Sequence, residues 1–201
     1  MLAASLLASP GLAGPPKPGR YRVSEGPDIA GMLEIGTNHR FQYALAAGAL
    51  DEQAKGSWYR DGAKICLRTE PKPVPAQFSL AAAEATQDHT LLVTWPDGRG
   101  IPGVDFRIGF DTGEPLADYT QYYGWSMPQD DKREPRWIEL AVPMHRLMSQ
   151  RIMLDGRKAI RIVLTPNDLG TVDFQRACFE AAGDKYVLHR EGGDMHLVRV
   201  R

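Results

Sequence analysis

The chain has 201 residues, enough for one large all-β domain or two small ones with a core that needs no crosslinks. Its 24 Lys and Arg balance 25 Asp and Glu, and the net charge of -1 gives no field that favours nucleic acid or an anionic membrane. Its 20 Gly and 15 Pro recur between short apolar runs, as in many strands joined by turns. We therefore predict a mainly β protein that does not bind nucleic acid.

The first residues bear on the compartment. Residues 1–14 are apolar and end in a Leu-Ala-Gly step that resembles a signal-peptidase site, and a Pro-rich run follows. No basic residue precedes the apolar run, so residues 1–19 are read either as a signal-peptide remnant or as a disordered Pro-rich arm. No run in the chain reaches the ~20 apolar residues of a membrane helix. We expect a periplasmic or secreted protein without an integral membrane segment.

Residues 20–80 have the pattern of an antiparallel meander. In the strand that we predict over residues 40–45, Phe41 and Tyr43 share one face, because strand side chains alternate between the two sides of a sheet. The Asp61-Gly62 turn gives the strongest hairpin signal, since this pair tolerates the positive φ of a two-residue turn. The Pro-rich residues 71–75 stop the meander, and residues 77–80 are expected to re-enter a sheet.

The clearest single strand lies within residues 91–125. Residues 104–110 alternate strictly, which predicts Phe106 and Ile108 on a core face and Asp105 on the opposite, solvated face. This strand should therefore belong to a sheet with one buried side.

The last part of the chain is again strand-rich. Residues 136–142 and 159–165 are predicted strands, and residues 172–174 are expected to add a short one. Residues 184–190 and 195–200 form a predicted hairpin. Residues 144–154 fit either a helix or a strand, and we favour a strand for their second half.

A series of landmarks in the centre carries a family resemblance. In order, they are Val93, Asp97-Gly98, Ile101-Pro-Gly-Val104, Gly113, Thr120 and Gly124. Together they resemble the transthyretin-like fold, the carboxypeptidase regulatory-like β-sandwich, over residues 90–165. That family usually supplies accessory or recognition modules without catalytic residues, so the resemblance implies a binding role.

The flanks carry a second resemblance. Residues 41–67, with Gly56-Ser57-Trp58 and the Asp-Gly hairpin, resemble the up-and-down meander of lipocalin-like or related small bacterial β-barrels. Residues 20–80 plus residues 170–201 would then form one module with the sandwich inserted between them. This resemblance implies a carrier that holds an apolar ligand around Phe41, Tyr43 and Trp58.

Cys66 and Cys178 are the two cysteines of the chain. Neither has a second Cys or a His at metal-ligand spacing, so we expect no zinc site on them. Each lies in an apolar stretch, and the burial preference of cysteine favours two buried thiols. A disulfide, which requires an oxidising compartment, is the alternative.

The histidines give no metal motif. No two of the five are spaced as in a metalloprotease helix, and the chain has no nucleophile elbow, Walker loop or dinucleotide fingerprint. His189 and His196 could face each other across the last hairpin, but a zinc site needs three or four ligands. We read them as half-exposed strand residues and expect no metal and no cofactor.

Carboxylates offer the remaining enzymatic alternative. Asp105, Asp111, Glu114 and Asp118 lie close together in the sequence, and two could act as acid and base in one cleft. Turns routinely carry solvated acidic residues, and we therefore prefer to interpret these four residues as solvated loop charges. A carboxylate-dependent hydrolase is the least supported alternative, and we expect a non-catalytic protein.

Aromatic residues are concentrated near the centre and form the candidate ligand-binding set. Its members are Tyr119, Tyr122, Tyr123, Trp125, Arg136 and Trp137. The first four exceed what one strand face can bury, and exposed rings with a polar group stack on sugars or peptides. Alternatively, Tyr119 and Trp125 are core and the middle two cover a sheet edge. We predict a binding or assembly module of the bacterial cell envelope that recognises a glycan, a peptide or another envelope protein.

Overall fold

The computed structural model describes residues 13–83 and 86–200, whose regular secondary structure is almost entirely β-strand. The predicted mainly β class is confirmed, with an antiparallel eight-stranded barrel and additional sheets. The leader-like residues 1–12 lie outside the described residues. Across the described ranges, no helix combines the length and apolar character needed to cross a membrane.

The chain divides into two compact units. Unit 1 comprises Met1–Pro73 and Gly170–Arg201, and unit 2 comprises Val74–Leu169. In chain order the strands are β1 (Gly19–Val23), β2 (Ile29–Ile35), β3 (Arg40–Ala47), β4 (Leu50–Asp61), β5 (Lys64–Thr69), β6 (Gln77–Ala81), β7 (Thr90–Thr94), β8 (Asp105–Phe110), β9 (Leu116–Tyr119), β10 (Trp125–Ser126), β11 (Pro135–Val142), β12 (Leu147–Met148), β13 (Ile152–Met153), β14 (Ala159–Thr165), β15 (Ala177–Ala182), β16 (Lys185–Arg190) and β17 (Gly193–Arg199).

Unit 1 is a closed barrel with the strand order β1-β17-β16-β15-β5-β4-β3-β2. Every neighbouring pair is antiparallel, and β1 closes the ring by pairing with both β2 and β17. An eight-stranded barrel is just wide enough for its inward side chains to fill it. The ring of Tyr21 lies 4.6 Å from that of Phe179 and 5.0 Å from that of Tyr186, all three inside the barrel core.

The segment before β1 packs against unit 1. The backbone N–H of Ala13 donates to the carbonyl of Gly183 at 2.6 Å, and the guanidinium of Arg60 donates to the carbonyl of Pro16 at 3.0 Å. Pro16 is buried and Ala13 contacts the barrel core. These residues therefore belong to the folded barrel unit.

Cys66 and Cys178 form a disulfide bond between β5 and β15, where the two residues are direct cross-strand partners. The expectation of two buried thiols is wrong. The antiparallel pairing of β5 with β15 brings the two cysteines together although 112 positions separate them in sequence.

Unit 2 is a sandwich of two sheets. One sheet has the order β10-β7-β14-β6, and the other has the order β12-β11-β8-β9, with β13 also paired to β11. Leu91 and Ile162 of the first sheet share one core cluster with Phe106 and Ile138 of the second. All pairs are antiparallel except β7 with β14.

One local expectation differs from the structure and a second is met in part. Residues 172–174 are not a strand, whereas β15 forms a few residues later. In residues 144–154, the strand favoured for the second half is present as the short β13, whereas the first half contains the end of a 3-10 helix at Pro143–His145 and the short strand β12. Pro143 fits the first turn of that helix, and Arg146 ends it with a φ of 50°.

Candidate functional site

The candidate site is built around residues 120–124, which we call the aromatic loop and which join β9 to β10. Thr120 is fully buried and anchors the loop. Its hydroxyl donates to the carbonyl of Ile101 at 2.6 Å and accepts from the backbone N–H of Val104 at 3.1 Å. Its own N–H donates to the carbonyl of Val104 at 2.9 Å. One threonine hydroxyl thus supplies both a donor and an acceptor that fix the start of the loop.

Tyr122 and Tyr123 project from this anchored loop. Their side chains are 50% and 93% exposed, and their rings meet edge to face with centroids 5.0 Å apart. Gly100 lies directly beneath, since a Cβ there would be 1.8 Å from the carbonyl oxygen of Tyr122. A side chain at position 100 would therefore displace the pair.

A charged pair lies beside these rings. Arg99, the neighbour of Gly100, donates from its Nε to Asp97 at 2.7 Å, and both side chains are exposed. Hydrogen bonds from the backbone and the side chain of Arg99 lower the pKa of the Asp97 carboxyl. The loop next to the tyrosines therefore presents a carboxylate and a guanidinium to solvent.

Tyr119 and Trp125 flank the aromatic loop and have different environments. Tyr119 is 54% exposed on β9, opposite Asp105. Trp125 turns toward the sandwich, where its ring lies 5.1 Å from that of Phe106 and its Nε1 donates to Asp118 at 3.0 Å. Of the four clustered aromatic residues, three present exposed rings and Trp125 mainly joins the two sheets.

Trp137 and the exposed Arg136 lie elsewhere on unit 2. Trp137 pairs with Gly109 on β8, whereas Tyr119 pairs with Asp105 on the same strand. Asp105 and Gly109 are four residues apart on β8, so their positions along the strand differ by roughly 13 Å. The ring of Trp137 is covered by the guanidinium of Arg151 at 3.8 Å, and a Cβ at Gly109 would meet it at 1.9 Å. The structure therefore divides the predicted aromatic surface into two parts.

The candidate acidic residues do not converge on one cleft. Asp118 accepts from Trp125 and from the N–H of Tyr119 at 2.8 Å. Asp105 pairs with Tyr119 and so lies on the opposite face from Asp118. Asp111 accepts from the backbone N–H of Glu134 at 3.1 Å, and Glu114 lies in the exposed turn that follows.

The residues proposed for an apolar cavity fill the barrel interior themselves. Phe41, Tyr43 and Trp58 are at most 6% exposed, and the rings of Phe41 and Tyr43 lie 5.9 and 5.2 Å from that of Phe174. The Nε1 of Trp58 donates to the carbonyl of Gly36 at 2.8 Å. These side chains contribute to the core at about 1.5–3 kcal/mol each for full burial.

A partly buried polar cluster in the barrel was not predicted from the sequence. The Tyr43 hydroxyl donates to Glu52 at 3.0 Å and accepts from Arg190 at 3.2 Å, and Arg190 also pairs directly with Glu52. Burial raises the pKa of Tyr43, so its hydroxyl keeps its proton. The sequence pattern that could have indicated this cluster is the alternation of β16. It places Arg190 on the same face as the buried Tyr186 and Leu188.

The two histidines of the last hairpin are held by different carboxylates. The ring nitrogens of His189 bind Asp194 and Glu180, each at 2.8 Å, whereas His196 binds Glu25 at 3.0 Å. The hydrogen bonds to Asp194 and Glu180 raise the pKa of His189. Among the described residues, no group of three or more His, Cys, Asp or Glu is arranged to hold a metal ion.

Comparison of the chain with protein-family models, with curated proteins and with solved structures gave no match.

Proposed function

We propose that this protein is an exported, non-catalytic binding module that recognises a glycan through Tyr119, Tyr122 and Tyr123. The observation that carries the proposal is the exposure of the Tyr122 and Tyr123 rings on a loop anchored by the buried Thr120. A loop that is already anchored loses little backbone freedom on binding, and the faces of its exposed rings match the apolar faces of sugar rings. Their hydroxyls and the Asp97–Arg99 pair add hydrogen-bonding groups for sugar hydroxyls.

A peptide is the alternative ligand, and the β9 edge argues against it. Extended peptides commonly bind by adding a strand to a sheet edge through main-chain hydrogen bonds. At β9 the backbone N–H of Tyr119 already donates to the side chain of Asp118 at 2.8 Å. A peptide at this site would lose that donor and would depend mainly on contacts with the rings.

Export to the cell envelope is part of the proposal. The Cys66–Cys178 disulfide supports it weakly, because disulfides persist mainly in oxidising compartments such as the periplasm or the exterior. The transthyretin-like resemblance of the central residues also favours a recognition module. On this basis the glycan belongs to the cell envelope or its surroundings.

Two other functions have less support. A lipocalin-like carrier would hold its ligand where Phe41, Tyr43 and Trp58 already pack, and a hydrolase would need carboxylates that here face different ways. Organic extraction of the purified protein would reveal a carried apolar ligand and would favour the first of these functions.

The proposal is tested by measuring binding on a glycan array and on a peptide array. We expect the Tyr122→Ala, Tyr123→Ala double variant to lose glycan binding and to keep the wild-type urea midpoint. Tyr59→Ala is the matched control, because Tyr59 is also a half-exposed tyrosine (47%) but lies on the barrel strand β4. Equal glycan binding by the double variant and the wild type would refute the proposal, and binding confined to peptides would replace the ligand class.

A further inference from the structure

Sheet edges are a hazard because their free backbone groups can pair with another chain. In the part of the chain that the structure describes, the barrel strands close into a ring, so the barrel itself has no free edge. In unit 2, the edge strands β10, β12 and β13 have two residues each. At the β9 edge, the side chain of Asp118 binds the N–H of Tyr119. Shortness and a side-chain cap therefore protect these edges.

The edge strand β6 has no such protection. It has five residues, Gln-Phe-Ser-Leu-Ala, and contains neither a charged residue nor a proline. In the described part of the chain it pairs only with β14. Among the described residues of unit 2, it is the one edge with the length and composition to accept another strand.

The hydrogen bonds of β14 show which groups of β6 point outward. Thr90 N donates to the carbonyl of Lys158 at 2.9 Å, so the even-numbered residues of β14 direct their backbone groups to β7. The odd-numbered residues then bond to β6, where Val163 is the partner of Ser79. The N–H and C=O groups of Phe78 and Leu80 consequently point away from β14, toward the open edge.

These outward groups are self-complementary. In two antiparallel β6 strands related by a two-fold axis at Ser79, Phe78 of each copy faces Leu80 of the other. Each such pair exchanges both backbone hydrogen bonds. The side chains of Phe78 and Leu80 are only partly buried against the core of unit 2, so pairing would also extend their apolar face. No charge on β6 opposes this arrangement.

We propose that two copies of this chain associate by antiparallel pairing of their β6 strands, which joins the two β10-β7-β14-β6 sheets into one. A two-fold contact uses the same surface on both copies and closes without forming a fibre. Because a five-residue strand is short, the interface is small and the dimer should depend on protein concentration. The inference is independent of the glycan site.

Ser79→Lys tests the pairing. Ser79 is exposed on the outer face of its sheet, so a single unit tolerates lysine, whereas a dimer would bring two lysines together at the two-fold axis. By sedimentation velocity up to about 1 mM protein, we expect the wild type to dimerise and the variant to bind at least tenfold more weakly. Ala117→Lys, at an exposed position on the capped β9 edge, is the matched control and should dimerise like the wild type.

A charge swap separates repulsion from misfolding. Ser79→Glu should also be monomeric, and a mixture of the lysine and glutamate variants should form a heterodimer. Hydrogen exchange at the Phe78 and Leu80 amides should slow as the wild-type concentration rises. A wild type that stays monomeric near 1 mM would overturn the proposal. So would a dimer insensitive to Ser79→Lys, a mixture that fails to associate, or amide protection independent of concentration, which would mean that the same chain covers the edge.

Discussion

Cys66 and Cys178 lie directly opposite each other on β5 and β15, and their disulfide closes a loop that contains the whole of unit 2. The ends of unit 2 are themselves joined. Val74 N donates to the Asp168 carboxylate at 2.8 Å, and Asp168 N donates to the carbonyl of Val74 at 3.1 Å. While unit 2 is folded, the free chain between the cysteines is therefore only residues 67–73 and 170–177.

Removal of the disulfide should destabilise the barrel by the entropy of this short loop. For roughly 15 residues the expected loss is about 3 kcal/mol, against about 5 kcal/mol for a loop of the full sequence separation. We expect the smaller value for the Cys66→Ser, Cys178→Ser double variant. This loss in the free energy of unfolding is measured by urea unfolding, with hydrogen exchange used to monitor the amides of the barrel and of unit 2 separately. The reduced wild type serves as a second sample. A loss near 5 kcal/mol would show that both units unfold together.

Arg190 should stabilise the barrel mainly by neutralising Glu52. The two side chains are only 14% and 18% exposed, so Arg190→Met leaves a carboxylate partly buried and unpaired. We expect a loss of about 2–3 kcal/mol in the free energy of unfolding. In the Glu52→Leu, Arg190→Met double variant most of this loss should disappear, because no buried charge remains.

A surface pair provides the control for Arg190. Arg20 and Glu34 are 64% and 54% exposed and 3.9 Å apart, so Arg20→Met should cost less than about 0.5 kcal/mol. Urea denaturation of the four proteins decides the question. Equal losses for the two single variants would contradict a special role of the barrel pair.

Much of the fold follows from alternation and turn chemistry. Strict alternation predicted β8, whose inward residues Phe106 and Ile108 are 3% and 1% exposed. The Asp61-Gly62 turn predicted the β4–β5 hairpin, which is confirmed. The strand β15 was missed because its Ala and Glu residues have low β propensity. It forms because pairing with β5 and β16 outweighs that preference.

Alternation and turn residues predict less of the candidate site than of the fold. Four aromatic residues within seven positions indicate that some rings are exposed, and Tyr122 and Tyr123 are. The inward turn of Trp125 depends on Asp118 and Phe106, which lie on strands of the other sheet. The separation of Trp137 from the aromatic loop depends on strand register, which no local pattern encodes.

Asp118 should hold the edge of the sandwich at Trp125. Asp118→Ala removes acceptors for Trp125 Nε1 and for Tyr119 N, and because both bonds are exposed we expect a loss of only about 1 kcal/mol. In a Trp125→Phe background the same substitution should cost less, since one bond is already absent. A double-mutant cycle in urea measures this coupling, and a coupling energy of zero would show that the Asp118–Trp125 bond adds nothing.

His189 should make barrel stability depend on pH. Hydrogen bonds to Asp194 and Glu180 raise the pKa of His189 in the folded protein above its unfolded value of about 6.5. A raised pKa means that the folded state binds the proton more tightly. The stabilisation is therefore fully present below about pH 6.5 and is lost as the pH rises through the folded value. Because the side chain is 42% exposed and Lys64 also binds Glu180, solvent and competition limit the effect to less than about 1 kcal/mol.

The measurement compares urea midpoints at about pH 6 and about pH 9 for the wild type and for His189→Gln. We expect the midpoint of the wild type to fall more than that of the variant over this interval. His145→Gln is the control, because His145 lies in the 3-10 helix of unit 2 and so belongs to a different unit from the barrel. The mechanism is wrong if His189→Gln retains the full pH dependence, since other groups must then carry it. If His145→Gln lost the pH dependence of the urea midpoint, the proposed role of His189 would also be wrong.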